Sequence, residues 1–343
     1  MRILLGISGG LDSAYAALKL KNKGNDVEGA VLCMHSYTEI DAAKEAAEGI
    51  GIPLNVIDCR EAFENIVVKN FISEYMNART PNPCTICNSE VKFKFLYDYA
   101  MTHGFDFIAT GHYAEIAEID ADSGKRYAVK KGKDSKKDQS YMLWRLPQQI
   151  LAKLIFPLCD EEKQNVRDSA REAELSVAER PESQEICFVP SGDYAAFIEE
   201  RGFNSPPGDF VDDKGNILGR HNGIIRYTVG QRKGLGVSYG KRVFVTNINP
   251  ENNSITLSPE DKYSDKFSIS EMVFSGICEP KINQKFVFDV KIRYAAPPVK
   301  AVLTYLGEGR ATVKMEQPMR AVTPGQSAVF YDNDILMCGG YID

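Results

Sequence analysis

The octapeptide Gly6-Ile7-Ser8-Gly9-Gly10-Leu11-Asp12-Ser13 constrains this chain most, because it joins an apolar run, Ile3-Leu4-Leu5, to a helix-like segment, Ala14 to Leu20. A strand that runs into small residues lets backbone N–H groups approach an anion, and the following helix offers the positive end of its dipole. The stretch therefore reads as a phosphate loop. Ser8 and Ser13 add hydroxyl donors, and Asp12 supplies the hard oxygen ligand that nucleotide-borne Mg²⁺ prefers. The loop lacks the Gly-Lys-Ser/Thr ending of a Walker A motif and the G-x-G-x-x-G spacing of a dinucleotide fold. The bland alternative is an ordinary Gly-rich turn between a strand and a helix.

The first half of the chain alternates strand-like and helix-like pieces. Arg2 to Ile7, Asp26 to Met34, Leu54 to Asp58 and Phe107 to Thr110 read as strands; Ser13 to Lys23 and Asp41 to Glu48 read as helices, the second closed by Gly49 and Gly51. This alternation implies an α/β fold with a doubly wound parallel sheet, whose ligands bind at the carboxyl ends of the strands, where Ser8 to Ser13 lies. At 343 residues the chain exceeds what one core usually holds. After about Phe197 the texture changes to Gly/Pro punctuation and short β-branched or aromatic runs: Arg242 to Ile248, Ser254 to Leu257, Phe286 to Tyr294, Val299 to Leu306, Ala311 to Met315 and Ser327 to Tyr331. Such runs suggest a small β-barrel. The expected division is 1–197, an α/β domain, 198–262, a small central linking domain, and 263–343, a C-terminal β-barrel.

An apolar fraction of 43% and a charged fraction of 26% suit a soluble globular protein. No apolar run is long enough to cross a bilayer, and Met1-Arg2 leads straight into a strand, so a cytoplasmic protein with no membrane partner is expected. In that compartment eight cysteines point to ligands or sulfur and redox chemistry before structural disulfides. The net charge of −6 leaves nucleic-acid binding to a local basic patch. Lys125 to Lys137 is the nearest thing to one, seven cations facing Asp134.

Cys84 and Cys87 form a C-x-x-C within Thr80-Pro81-Asn82-Pro83-Cys84-Thr85-Ile86-Cys87-Asn88, ahead of the helix-like Val91 to Tyr99. Two prolines shape the loop, and Cys87 is expected to gain thiolate character from the N-terminus of that helix. Redox, zinc and iron–sulfur uses stay open, as does a pair of small semi-buried hydrophobes. Cys187, in Glu182-Ser183-Gln184-Glu185-Ile186-Cys187-Phe188, reads on its own as a core residue. Ala109-Thr110-Gly111-His112-Tyr113 ends a predicted strand, so Gly111 and His112 should reach the rim that carries the phosphate loop. Lys137-Asp138-Gln139 is a solvated loop or an RNA contact. Tyr227 to Gly236 is a hairpin tip or a phosphate contact, and in Lys291-Ile292-Arg293-Tyr294 cations and a ring share a strand in a way that suits RNA.

The Ser8 to Ser13 string resembles the loop of the ATP pyrophosphatase (PP-loop) superfamily. The ordered set of Ser8-Gly9-Gly10, Thr80 to Pro83 with Cys87-Asn88, Ala109 to Tyr113, Lys137 to Tyr141, Ile186-Cys187-Phe188, Thr228 to Gly234, Lys291 to Tyr294 and Val322 to Val329 resembles the tRNA-specific 2-thiouridylase family from end to end. The resemblance implies ATP-dependent adenylylation of the wobble uridine C2 oxygen, then sulfur transfer to give 2-thiouridine, AMP and pyrophosphate. Gly6, Ile7, Ser8, Gly9, Gly10, Leu11, Asp12, Ser13, Met34 and Gly111 would bind ATP with Mg²⁺. Cys187 would carry a persulfide and Cys87 would be its partner nucleophile, the two closing to a disulfide as product leaves. Asn82, Pro83 and Cys84 would meet the target base, flipped from its stack. His112, Lys137, Asp138, Gln139, Arg293, Tyr294 and Gln326 match positions that touch tRNA. Partners would be glutamate, lysine and glutamine tRNAs and a sulfur carrier protein or cysteine desulfurase.

Two features depart from the family pattern. Many members carry Asp where this chain has Cys84, and the stretch from Met34 to Asp41 is short. Cys84, Cys87 and Cys187 together raise an alternative for the sulfur step, a four-iron four-sulfur cluster with one open iron. Competing readings are another PP-loop synthetase acting on RNA or a metabolite, and a non-catalytic RNA-binding module with structural zinc, which leaves the phosphate loop unexplained.

Overall fold

In the computed structural model, which describes residues 1–121, 124–180, 186–237 and 240–343, strand β1 (Arg2–Gly6) buries Ile3, Leu4 and Leu5 completely. A strand apolar on both faces needs cover on both, which a parallel sheet between helical layers supplies. The partners are β2 (Asp26–Cys33), β3 (Leu54–Asp58) and β4 (Phe107–Thr110); after the hairpin β5 (Ala114–Ala121) and β6 (Gly124–Lys131), the two-residue β7 (Leu154–Ile155) completes the sheet. The order is β3-β2-β1-β4-β7, with every pairing parallel. Leu4, Ala30 and Ile108 pack into one helical layer and Ile3, Leu5, Val31 and Ala109 into the other. The strand order reverses between β1 and β4, so a crevice opens beyond their carboxyl ends.

Helix α1 (Leu11–Asn22) begins straight after the Gly-rich loop, and α2 (Ile40–Ile50) follows β2. Between β3 and β4 lie two helical stretches. The first runs through Arg60–Ala62, Phe63–Val68 and Lys69–Met76, the second through Pro83–Ile86, Cys87–Lys92 and Phe93–Thr102, and the middle segment of each is a π-helical turn. The second helix starts earlier than the periodicity of Val91 to Tyr99 suggests. Pro83 occupies its first turn, and the Asn82 side chain caps it by accepting a hydrogen bond from the Cys84 N–H at 3.2 Å.

Beyond the α/β layer, β8 (Gly208–Val211), β9 (Ile217–His221), β10 (Phe244–Asn249) and β11 (Ser254–Ser258) form a four-stranded sheet in the order β10-β11-β8-β9. The strands β12 (Tyr263–Phe274), β13 (Lys285–Lys291), β14 (Val299–Gly307), β15 (Arg310–Arg320), β16 (Ser327–Asp332) and β17 (Ile335–Ile342) close into a six-stranded barrel through the β12–β17 pairing. Its interior is filled by Leu303, Tyr305, Val313, Phe330 and neighbours. The β5–β6 hairpin joins the barrel edge where Lys130 pairs with Ile335.

The barrel is clasped to the cysteine-bearing loop. Thr80 N–H donates to Pro324 O at 2.8 Å, Gln326 Nε2 to Thr80 O at 2.8 Å and Arg79 Nη2 to Ile342 O at 3.0 Å. Buried Trp144 reaches from the α/β layer to donate its indole N–H to Ser327 Oγ at 2.9 Å, and Tyr141 OH donates to Ser327 O at 2.8 Å. The basic run Lys125 to Lys137 is no uniform cationic face. Lys125 pairs with Glu118, Lys130 with Glu115 and Lys131 with Asp334, and Arg126 donates to Phe274 O and Ser275 O.

Candidate active site

The phosphate loop braces itself. The Ser8 N–H donates to Ser13 Oγ at 3.1 Å, the Gly10 N–H to Ser8 Oγ at 3.3 Å, and Ser13 Oγ donates to Gly10 O at 3.0 Å. Gly9 holds a left-handed φ of 79°, and a Cβ there would stand 2.8 Å from Ala42 Cβ. No side chain caps the amino end of α1, so its first-turn N–H groups face the crevice. At the end of β4, a Cβ on Gly111 would stand 2.8 Å from the carbonyl carbon of Asp12 and from Ser13 N, so only a glycine lets this strand run against the loop.

Two cations that the sequence did not flag complete the surround. Lys163 Nζ donates to both carboxylate oxygens of Asp12 at 2.7 Å, and Tyr113 OH donates to Asp12 Oδ1 at 2.8 Å. Arg180 Nη1 donates to Gly9 O at 3.1 Å while pairing with Glu39 at 3.5 Å and Glu45 at 3.6 Å. Asp12, expected as a metal ligand, is thus engaged by an ammonium. To meet Mg²⁺ it must share or exchange that partner.

Met34 follows the carboxyl end of β2, the strand beside β1, and meets Cys87: Cys87 Sγ lies 3.8 Å from Met34 Sδ. Because the helix begins at Pro83, Cys87 lies within it and not ahead of its N-terminus, which corrects the sequence expectation; Cys84 occupies the first turn. Cys87 is 4% exposed, and burial pushes its thiol up to about 12 against the opposing pull of Lys92. Cys187 is exposed as a residue, but the protein around its thiol also raises its pKa, and Lys92 again opposes. Phe188 next to it is locked against Phe63, Phe71 and Phe197 at centroid distances of 5.2–5.4 Å. Of the motif read around Cys187, Glu182 to Glu185 lie outside the described residues.

Cys84 is exposed, and all eight cysteines are free thiols. Among the described residues no group of three or more His, Cys, Asp or Glu side chains is placed to hold a metal ion. Cys84, Cys87 and Cys187 therefore do not form the ligand set that a cluster or a structural zinc needs, and no step here runs through either.

Asn82 spends its side chain on capping, with Nδ2 3.2 Å from Met142 Sδ, and Pro83 is buried. His112 sits between Phe93 and Phe156 at 5.5 and 6.0 Å, with Nδ1 2.8 Å from Thr110 Oγ1. Burial first, and Lys92 second, hold its pKa down at about 3, so it is neutral at physiological pH. Asp138 accepts from Ser140 N–H and Oγ at 3.2 and 2.9 Å, Gln139 Oε1 accepts from the Tyr113 N–H at 3.0 Å, and Tyr294 OH donates to Asp138 O at 3.0 Å. Arg293 Nη2 donates to Ala321 O and Thr323 Oγ1, both at 2.5 Å. Tyr294 and Gln326 reach across the seam of the α/β layer and the barrel, to Asp138 O and Thr80 O, whereas His112 packs within the α/β layer and the Arg293 hydrogen bonds stay within the barrel. A cleft of about 660 Å³, lined by Cys159 but by none of Cys84, Cys87 and Cys187, opens at that seam beside Lys133, Asp138 and Lys291.

Family models for a tRNA methyl transferase HUP domain, a tRNA methyl transferase PRC-barrel domain and an aminomethyltransferase β-barrel domain match residues 1–191, 195–259 and 264–342 in turn. The tRNA-specific 2-thiouridylase of Acetivibrio thermocellus is 42% identical over 99% of both chains. That of Clostridioides difficile is 41% identical over 100% of this chain and 98% of its own. One from Caldanaerobacter subterraneus is 42% identical over 100% and 98%.

Proposed function

The chain belongs to the tRNA-specific 2-thiouridylase family, and from that premise we propose that it replaces the C2 oxygen of a wobble uridine in tRNA with sulfur, using ATP with its Mg²⁺. The observation that carries this reading is the contact of Met34 with Cys87: it supports treating the strand ends beside the phosphate loop and the buried cysteine as one site, as a reaction needs when it first activates an oxygen and then displaces it.

The N–H groups at the head of α1, with Ser8 and Ser13, hold the triphosphate, and Lys163 and Arg180 supply positive charge beside it. The uridine C2 oxygen attacks the α-phosphorus and pyrophosphate leaves. A persulfide on Cys187, loaded by a cysteine desulfurase or sulfur carrier, attacks C2 with its terminal sulfur, and AMP departs with the oxygen. The Cys87 thiolate then attacks Cys187 Sγ; the S–S electron pair passes to the sulfur on C2, leaving 2-thiouridine and a Cys87–Cys187 disulfide that a thiol reductant reopens. Asn82, Pro83 and Cys84 face the flipped base, and His112, Lys137, Asp138, Gln139, Arg293, Tyr294 and Gln326 contact the tRNA. The chain divides at 197/198 and 262/263 in this reading and works in the cytoplasm. No helix among the described residues is long and apolar enough to cross a membrane.

The test is incubation with unmodified glutamate, lysine or glutamine tRNA, ATP, Mg²⁺ and a desulfurase with cysteine, followed by nucleoside mass spectrometry. 2-Thiouridine is expected from the native chain and is lost in Cys87→Ser and Cys187→Ser. Pyrophosphate release with no 2-thiouridine would overturn the sulfur step.

A further inference from the structure

Lys92 takes no part in the scheme above, yet its ammonium acts on Cys87, Cys187, His35 and His112 alike. Its position follows from the π turn Cys87–Lys92, in which the Phe93 N–H donates to Asn88 O five residues back. In an α-helix, side chains five positions apart point about 140° from one another. Hydrogen bonds that run from i to i+5 widen the turn and bring position 92 back over position 87.

Lys92 is half-buried, and an ammonium that has lost part of its water gains from an opposite charge beside it. The opposite charges acting on Lys92 come from Cys87, Cys84 and Cys187, with no carboxylate among them. Burial works against its charge, and Cys87, Cys84 and Cys187 raise its pKa above the ordinary value only as thiolates, a form that Cys87, pushed up to about 12, does not hold at rest; the ammonium is set to answer a sulfur anion that forms during the reaction. Asn88 Oδ1, in the same turn, and His35 Nδ1, on a ring that feels the Lys92 charge, are buried without a hydrogen-bond partner. Cys87, for its part, is so buried that a thiolate there needs a cation beside it.

We propose that Lys92 is the positioning cation of the sulfur-transfer site, carried by the π turn to face the sulfur anions formed at Cys87 and Cys187. The inference deepens the thiolation reading and rests on its assignment of those two cysteines, but it is tested without tRNA. The probe is iodoacetamide at a single neutral pH, with alkylation of Cys87 and Cys187 followed separately by peptide mass spectrometry, and ATP binding measured alongside as a check of the fold. Lys92→Met slows alkylation at Cys187 by roughly tenfold, the low end of what a neighbouring opposite charge does to an acid, and slows Cys87 likewise. Lys92→Arg keeps the charge and restores the rate. Unchanged rates in Lys92→Met, or equal losses in Lys92→Met and Lys92→Arg, would overturn the proposal, the second result making Lys92 a packing residue. Should Lys92→Met lose ATP binding, Lys92→Gln carries the same comparison. Failure of thiolation with the Lys92 effect intact would count against the function alone.

Discussion

Gly111→Ala tests whether the end of β4 sets the shape of the phosphate loop. The added methyl meets the Asp12 carbonyl carbon and Ser13 N at 2.8 Å and Asp12 O at 2.9 Å. All three are backbone atoms, so no side-chain rotation relieves the contact. Restoring ordinary contact at 3.4 Å requires 3.4 − 2.8 = 0.6 Å of backbone movement. Overpacking of this kind costs about 1–3 kcal/mol. If the loop and not the strand yields, that cost falls on nucleotide binding as an affinity weaker by about 5- to 140-fold, at about 1.4 kcal/mol per tenfold. The assay is calorimetric titration with ATP and Mg²⁺. Gly49→Ala is the control: an added Cβ meets nothing within 4 Å in α2, so it leaves affinity unchanged and adds up to about 1 kcal/mol of stability. ATP affinity within twofold of the parent in a folded Gly111→Ala chain would refute the claim that this close approach shapes the site.

Three further outcomes are expected. His112 has a folded pKa of about 3 against an ordinary 6.5, so between these values the unfolded chain binds a proton that the folded chain does not. Stability then falls as pH drops below about 6.5, by up to about 1.4 kcal/mol per unit from this group, and His112→Gln flattens the dependence of the urea midpoint on pH; equal slopes would contradict it. Trp144→Phe leaves Ser327 Oγ without its donor and a gap against Gly339, and lowers stability in chemical denaturation by about 2 kcal/mol or more. Lys137→Ala weakens tRNA binding in filter titrations and reduces the slope of log affinity against log salt by about 1, whereas an unchanged slope would take Lys137 off the phosphate backbone.

The α/β layer was legible because its strands are short, apolar and separated by helices with turn signals. Arg2 to Ile7, Leu54 to Asp58 and Phe107 to Thr110 fall within a residue of the observed strands. The barrel was legible in outline, since Phe286, Val299 and Ser327 each begin or adjoin a real strand. The β5–β6 hairpin was not: its alternation is masked by cations whose partners, Glu115, Glu118 and Asp334, only the fold brings near. The loop and the cysteines were read from local strings. Lys163 and Arg180 escaped because they meet Asp12 and Gly9 from far along the chain. Lys92 escaped for a different reason, as a π turn leaves no periodicity that a 3.6-residue pattern detects.

Burial separates the two cysteines of the proposed sulfur step. Cys87 lies on a helix capped by Asn82 and clasped through Thr80 and Arg79 to the barrel, and its thiol is almost wholly covered. A protein that donates sulfur needs to bring its own persulfide within bonding distance of the acceptor, which such a thiol denies. Cys187 is exposed, yet Phe188 beside it is anchored in an aromatic cluster. In the proposed scheme this difference favours loading at Cys187 and resolution at Cys87. Exposed Cys84 is the one competitor for loading, so Cys84→Asp, which removes that thiol, is expected to keep thiolation while removing a second persulfide from intact-protein mass spectra. If that variant instead loses all persulfide, the sulfur enters at Cys84 and the assignment of Cys187 fails.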